Sequence, residues 1–155
     1  MSTNDRYYPY ATDAEETLSD AEILVLRRNY EREGVHPRVQ TKFNYAWGLT
    51  KSTRKQQQQL GIRMMHEIYD EYAERRRECM YYLAIGYYKL GEYGNARVYI
   101  ERLLALEPNN AQARSMRELI EEKVTRDGMI GLALSGGAIA LVGIAAAAIF
   151  SRKSK

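Results

Sequence analysis

The chain has 155 residues and a net charge of +3, but all 20 acidic and 20 of its 23 basic residues precede Gly128. Residues 1–127 are therefore formally neutral, which argues against a nucleic-acid-binding protein, whose folded domain usually shows a basic face. The single cysteine, Cys79, excludes an internal disulfide and points to a reducing compartment.

Residues 1–16, "MSTNDRYYPYATDAEE", have no apolar core and no arginine bias, so they read as neither a secretory nor a transit signal. They form a polar N-terminal arm that carries Tyr7, Tyr8 and Tyr10 around Pro9. Two readings stand for it. One is a frayed terminus. In the other, the arm folds back and lays its tyrosines across an aromatic groove near Tyr81 and Tyr88, where it either covers the site or completes it. Pro9 fixes φ and so lowers the entropy lost on docking.

"SDAE", Ser19 to Glu22, fits a capping box, in which each side chain satisfies a free amide of the first helical turn. Ile23, Leu26 and Tyr30 then share one helical face, and Gly34 is a natural stop. From Val39 to Glu107 no proline occurs, apolar residues return at three- and four-residue spacing, and no stretch alternates as a strand would.

Two internal copies lie within that run. "LAIGYYK" (Leu83 to Lys89) overlays "YAWGLTK" (Tyr45 to Lys51), with alanine, glycine and lysine coinciding at an offset of 38 residues. "ARVYIERLL" (Ala96 to Leu104) overlays "GIRMMHEIY" (Gly61 to Tyr69) at an offset of 35, which places the difference in the connection "STRKQQQQ". In the second copy Ala84, Tyr87, Gly91, Tyr93, Ala96 and Pro108 match the spacing of a tetratricopeptide repeat. Ala84 and Ala96 let two antiparallel helices approach, Gly91 makes the turn, the tyrosines fill the crossing and Pro108 stops the second helix. The first copy is degenerate, with no proline near Ala73.

Two repeats fall short of the three or so that such stacks need. The helix near Ser19–Glu33 and a last one bearing the stripe Ala113, Met116, Ile120 and Val124 supply caps at the two ends. The expected fold is all-α: a six-helix bundle over residues 17–127, built on two tandem tetratricopeptide-like repeats.

Met129 to Phe150 contains no charge and no proline. As a helix its 22 residues would span about 33 Å, enough for a bilayer core of about 30 Å. Residues 128–150 are thus expected to be a single transmembrane tail anchor in the lipid bilayer. Residues 151–155 form a short basic tail in which Arg152, Lys153 and Lys155 bias targeting. The folded part would stay in the cytosol. Small residues four apart, Ala133/Gly137 and Gly143/Ala147, permit a weak homo-oligomer.

A tail-anchored pair of such repeats after an N-terminal helix resembles the mitochondrial fission 1 family, fungal type. "FNYAWGL", "RRREC", "YYLAIGYYKLGEY" and the Gly-rich anchor with its basic end carry the resemblance. It implies an adaptor on the mitochondrial outer membrane, and on peroxisomes, that recruits a dynamin-related GTPase. In fungi the link is a WD40-repeat adaptor that docks in the concave groove. The resemblance also implies an N-terminal arm that contacts this groove.

On the repeat grid, the first-helix positions facing the groove are Phe43, Trp47 and Thr50, then Glu78, Tyr81, Ile85 and Tyr88. This mainly apolar and aromatic set suits an amphipathic helix laid in a groove. A rival reading is a tail-anchored docking module for the acidic tails of chaperones, which needs a groove wall of Lys, Arg and Asn.

No enzyme is expected, and no cofactor or metal. There is no P-loop, GxSxG, HExxH or glycine-rich phosphate turn. Cys79 and His66 are the one conceivable nucleophile–base pair, and both suit buried bystanders better. Arg75, Arg76 and Arg77 suggest a phosphate site, yet Glu71, Glu74 and Glu78 interleave with them and cancel the field, as in a solvated turn between repeats. "QQQQ", Gln56 to Gln59, suits a loop or a helix start.

Overall fold

The computed structural model describes residues 14–134, with side chains through Gly128, and no strand occurs among the described residues. Its helices are α1 (Asp20–Arg32), α2 (Val39–Thr50), α3 (Lys55–Glu71), α4 (Arg76–Leu90), α5 (Tyr93–Leu106) and α6 (Ala111–Leu134). A short 3-10 helix, Ala73–Arg75, precedes α4. The chain divides into two units, residues 1–121 and 122–155. The first contains α1 to α5 and α6 through Glu121; in the second, residues 122–134 are helical.

Local chemistry sets the helix ends. At α1 the capping box closes as expected: Ser19 Oγ accepts from the Glu22 amide at 3.3 Å, and the Ser19 amide donates to Glu22 Oε2 at 2.8 Å. Beyond α1, Gly34 takes a φ of +73°, and after α4 Gly91 takes +82°. This left-handed backbone is readily adopted only by glycine. Helix α5 stops at Leu106, just ahead of Pro108.

The glutamine run behaves differently from a connection. Lys55 to Gln59 are the first turns of α3, and only Lys51–Arg54 link it to α2. Arg54, at the N-cap, offers no side-chain hydrogen bond to the helix. Instead Gln58 Nε2 donates to the Ser52 carbonyl at 2.6 Å and Ser52 Oγ donates to Gln57 Oε1 at 2.5 Å, so the glutamines tie the loop down from inside the helix.

The two repeat pairs, α2/α3 and α4/α5, cross where the aligned small residues fall. A Cβ on Gly61 would stand 2.7 Å from the Ala46 carbonyl oxygen and 2.7 Å from the Thr50 nitrogen, so α3 meets α2 backbone to backbone. Ala96, its counterpart in the second pair, is fully buried, as is Ala84. Around these crossings Leu49, Met65, Ile68, Leu83, Ile100 and Leu103 form the core. Burying each such side chain stabilises the fold by roughly 1.5–3 kcal/mol before conformational entropy is counted. On α6, Ala113, Met116 and Ile120 are buried, which supports the expected cap.

Among the described residues no helix is long and apolar enough to cross a membrane. The expected span, residues 128–150, lies outside the described residues apart from helical backbone through Leu134. Arg152, Lys153 and Lys155 lie outside them entirely.

Candidate partner-binding groove

Helices α2 and α4 are the first helices of the two repeats, and the structure divides their seven candidate residues between two places. Near the start of both helices, Phe43, Glu78 and Tyr81 line a cavity of ≈ 300 Å³ together with Gln40, Arg75, Arg77, Tyr82 and Gln112. Its floor is aromatic. Phe43 meets Tyr82 edge to face at 5.5 Å between ring centroids, and Tyr81 meets Tyr82 likewise at 5.3 Å. Its rim is polar. The Arg75 guanidinium donates to Glu78 Oε2 at 3.0 Å and to Gln40 Oε1 at 2.8 Å, and lies 5.9 Å from the Phe43 ring centroid.

Toward the other end of both helices stand Trp47, Thr50, Ile85 and Tyr88. Thr50 and Ile85, expected on the groove wall, are core residues with 0% exposure. The reason is the α2–α4 approach at Gly86, whose Cβ would lie 3.3 Å from the Thr50 methyl. Thr50 Oγ1 is meanwhile spent on the Trp47 carbonyl at 2.7 Å. Trp47 is half-buried beneath the Lys51 ammonium, 4.9 Å from its ring centroid. Tyr88 is 5% exposed; its ring leans on Tyr93 and its hydroxyl donates to Glu15 Oε1 at 2.7 Å.

That last contact belongs to a strap, residues 14–18, that crosses the ends of α2 and α4. The Leu18 amide donates to the Lys51 carbonyl at 3.0 Å, and Lys51 Nζ pairs with Glu16 Oε2 at 3.2 Å. Lys89 Nζ donates to the carbonyls of Ala14, at 3.4 Å, and Glu16, at 2.8 Å. Burial, and secondarily the charge of Lys51, pushes the Lys89 ammonium below its usual pKa, while Glu15 and Glu16 oppose the shift. Ala14 itself is buried. Tyr7, Tyr8, Pro9 and Tyr10 lie outside the described residues.

Sequence reasoning missed Gln40, Arg75, Tyr82, Lys51 and Lys89. For the lysines a signal existed: they are the pair that coincides when the repeats are overlaid at an offset of 38. For the others none did, because their role depends on how the 3-10 turn aims Arg75 back at α2.

The remaining candidates have structural partners. Cys79 is buried, which pushes its thiol up to about 12, with Glu78 adding to the rise, so it is no nucleophile at neutral pH. His66 Nε2 shares a hydrogen bond of 2.9 Å with the Tyr87 hydroxyl. The three consecutive arginines reach three different helices: Arg75 to Gln40 on α2, Arg76 to the Tyr69 carbonyl on α3, and Arg77 to Glu107 at the end of α5. Each is paired with a protein group, Arg76 and Arg77 at the exposed surface, as suits the solvated turn between repeats better than a phosphate site.

Two family models match this chain: the Fis1 N-terminal tetratricopeptide repeat over residues 40–71, and the Fis1 C-terminal tetratricopeptide repeat over residues 77–129. The mitochondrial fission 1 protein of Tuber borchii is 50% identical over 147 residues, covering 95% of each chain. Yeast Fis1, solved in complex with an Mdv1 fragment containing N-terminal extension and coiled coil domains, is similar with a TM-score of 0.73 and 41% identity. That match covers 79% of this chain and 97% of the yeast one. Yeast Fis1 complexed with a fragment of yeast Caf4 is similar with a TM-score of 0.56 and 45% identity, covering 61% of this chain and 98% of that one.

Proposed function

The chain belongs to the mitochondrial fission 1 family, and from that membership we propose that it anchors in the mitochondrial outer membrane and recruits a dynamin-related GTPase through a WD40-repeat adaptor. The family is one of tetratricopeptide-repeat adaptors in mitochondrial fission and not of enzymes. The same anchor would place the protein on peroxisomes. Residues 128–150 supply the membrane span, and the tetratricopeptide-like domain faces the cytosol.

The observation that carries the docking reading is the cavity over Phe43, Tyr81 and Tyr82, ringed by Gln40, Arg75, Glu78 and Gln112. Apolar floor and polar rim together suit one face of an amphipathic helix. The capture of Mdv1 and Caf4 fragments by yeast Fis1 supports a partner of this kind. The rival, a docking module for acidic chaperone tails, requires cations free along the groove wall; here Arg75 and Arg77 are committed to Glu78 and Glu107.

Affinity capture from solubilised mitochondria tests the reading. Tyr82→Ala removes a half-buried ring at the cavity and should lower recovery of the adaptor at least about tenfold, the scale of a central interface residue. Tyr69→Ala, on α3, should leave recovery unchanged. Equal recovery with both variants would place the adaptor elsewhere on the surface.

A further inference from the structure

Two arginines at the start of α4 brace the two walls of the aromatic cavity. Arg75 reaches Gln40 on the α2 wall. Arg77 reaches the other way, to Glu107 just past the end of α5. Its Nε and Nη2 donate to the two oxygens of that carboxylate, with Nη2 standing 2.9 Å from Oε2. Asn110 completes the link. Its Nδ2 donates to Glu107 Oε2 at 2.7 Å, while its Oδ1 accepts from the Ala113 amide, in the first turn of α6, at 3.0 Å. A carboxamide has one donating and one accepting end. Glu107 takes the donating end, so the accepting end is held against α6, where it caps a free helix amide. These contacts join two residues that line the cavity, Arg77 on α4 and Gln112 on α6.

We propose that Glu107 is the positioning residue for the α6 wall: through Arg77 and Asn110 it sets where Gln112 stands over the aromatic floor, and so how a partner helix fits. This role rests on adaptor docking in the cavity. The side chains of the Arg77–Glu107 pair are 59% and 32% exposed, and an ion pair so open to water adds little to stability. Its effect is geometric. Without it the start of α6 is less constrained, and binding must also order the wall, which lowers affinity.

The test uses the full chain in detergent micelles, with three readouts: hydrogen exchange at the Ala113 amide, thermal melting, and adaptor recovery from solubilised mitochondria. Glu107→Ala should speed exchange at Ala113 at least about threefold, as partial loss of a cap does, while melting falls by only a few degrees. Recovery of the adaptor should fall at least about threefold. Arg77→Glu/Glu107→Arg restores opposite charges but sets a guanidinium against the donating end of Asn110, so it should restore neither exchange nor recovery. Adding Asn110→Asp, whose oxygens accept from both the guanidinium and the Ala113 amide, should bring both to within about twofold of wild type. Unchanged exchange in Glu107→Ala, a melting loss as large as a core substitution gives, or a folded triple variant that recovers no more adaptor than Glu107→Ala would each overturn the role. Recovery lowered by Tyr82→Ala but not by Glu107→Ala would remove the role and keep the cavity. Recovery lowered by neither would remove docking at the cavity, and the role with it.

Discussion

His66 stands where three helices meet, with its ring edge-on to Tyr87 at 6.0 Å and to Tyr99 at 5.5 Å, while those two tyrosines stack at 5.7 Å. Burial lowers its pKa below the ordinary 6.5; Arg102 adds to the shift and Asp70 opposes it. The folded state therefore favours the neutral ring. As pH falls past about 6.5 the unfolded chain takes up a proton before the folded one, and stability is lost until the folded pKa is passed. Thermal melting of the wild-type chain should drop between pH 7.5 and 5.5, and His66→Gln should flatten that slope. A second loss is set by Glu33, held down to about 2 chiefly by hydrogen bonds from Arg38; it should begin near pH 4.5 and be complete once the pH has fallen past about 2. A wild-type slope that survives His66→Gln would assign the proton to another group.

At the scale of helices, α2 and α3 meet backbone to backbone at Gly61. Gly61→Ala places a methyl group against backbone atoms that cannot rotate away, and should cost about 1–3 kcal/mol, as overpacking does. Gly94, early in α5, has nothing within 4 Å of a built Cβ, so Gly94→Ala should be neutral or stabilise by up to about 1 kcal/mol. Chemical denaturation of the pair checks both signs at once. These elements were legible because each has a local signal: a capping box at Ser19, glycine stops at Gly34 and Gly91, and the repeat overlay that set Gly61 over Ala96. The groove was legible only in part. Of the grid's residues, Phe43, Glu78 and Tyr81 line one cavity. It put Thr50 and Ile85 on the wall because spacing gives a side chain's direction, not the depth at which a neighbouring helix closes over it. The strap had no periodicity to read, since Glu15 and Tyr88 meet across 73 residues.

For the whole molecule, the proposed anchoring makes residues 128–155 a portable address. Fused to a fluorescent protein, they should carry it to mitochondria. Changing Arg152, Lys153 and Lys155 together to Ser should shift part of the pool to the endoplasmic reticulum, because a mildly apolar span leaves flanking charge more influence. Microscopy of the triple variant decides: a wholly mitochondrial pattern removes charge from the sorting argument. In the folded part, the three arginines before and within α4 have a practical consequence for digestion. Trypsin cleaves after arginine and needs several residues of extended, detached chain, and "RRR" at 75–77 offers three successive cuts. Here the flanking backbone is a 3-10 turn and the first turn of α4, and each guanidinium is tied to a different helix. To expose those bonds the chain must release α2, α3 and α5 together, which is close to unfolding it. Cleavage there should follow the opening equilibrium of the entire fold, so Gly61→Ala, far from any of the three bonds in sequence, should speed it by the factor it removes from stability, about five- to over a hundredfold for a loss of about 1–3 kcal/mol. The most basic run in the domain becomes a reporter of global stability, readable on a gel.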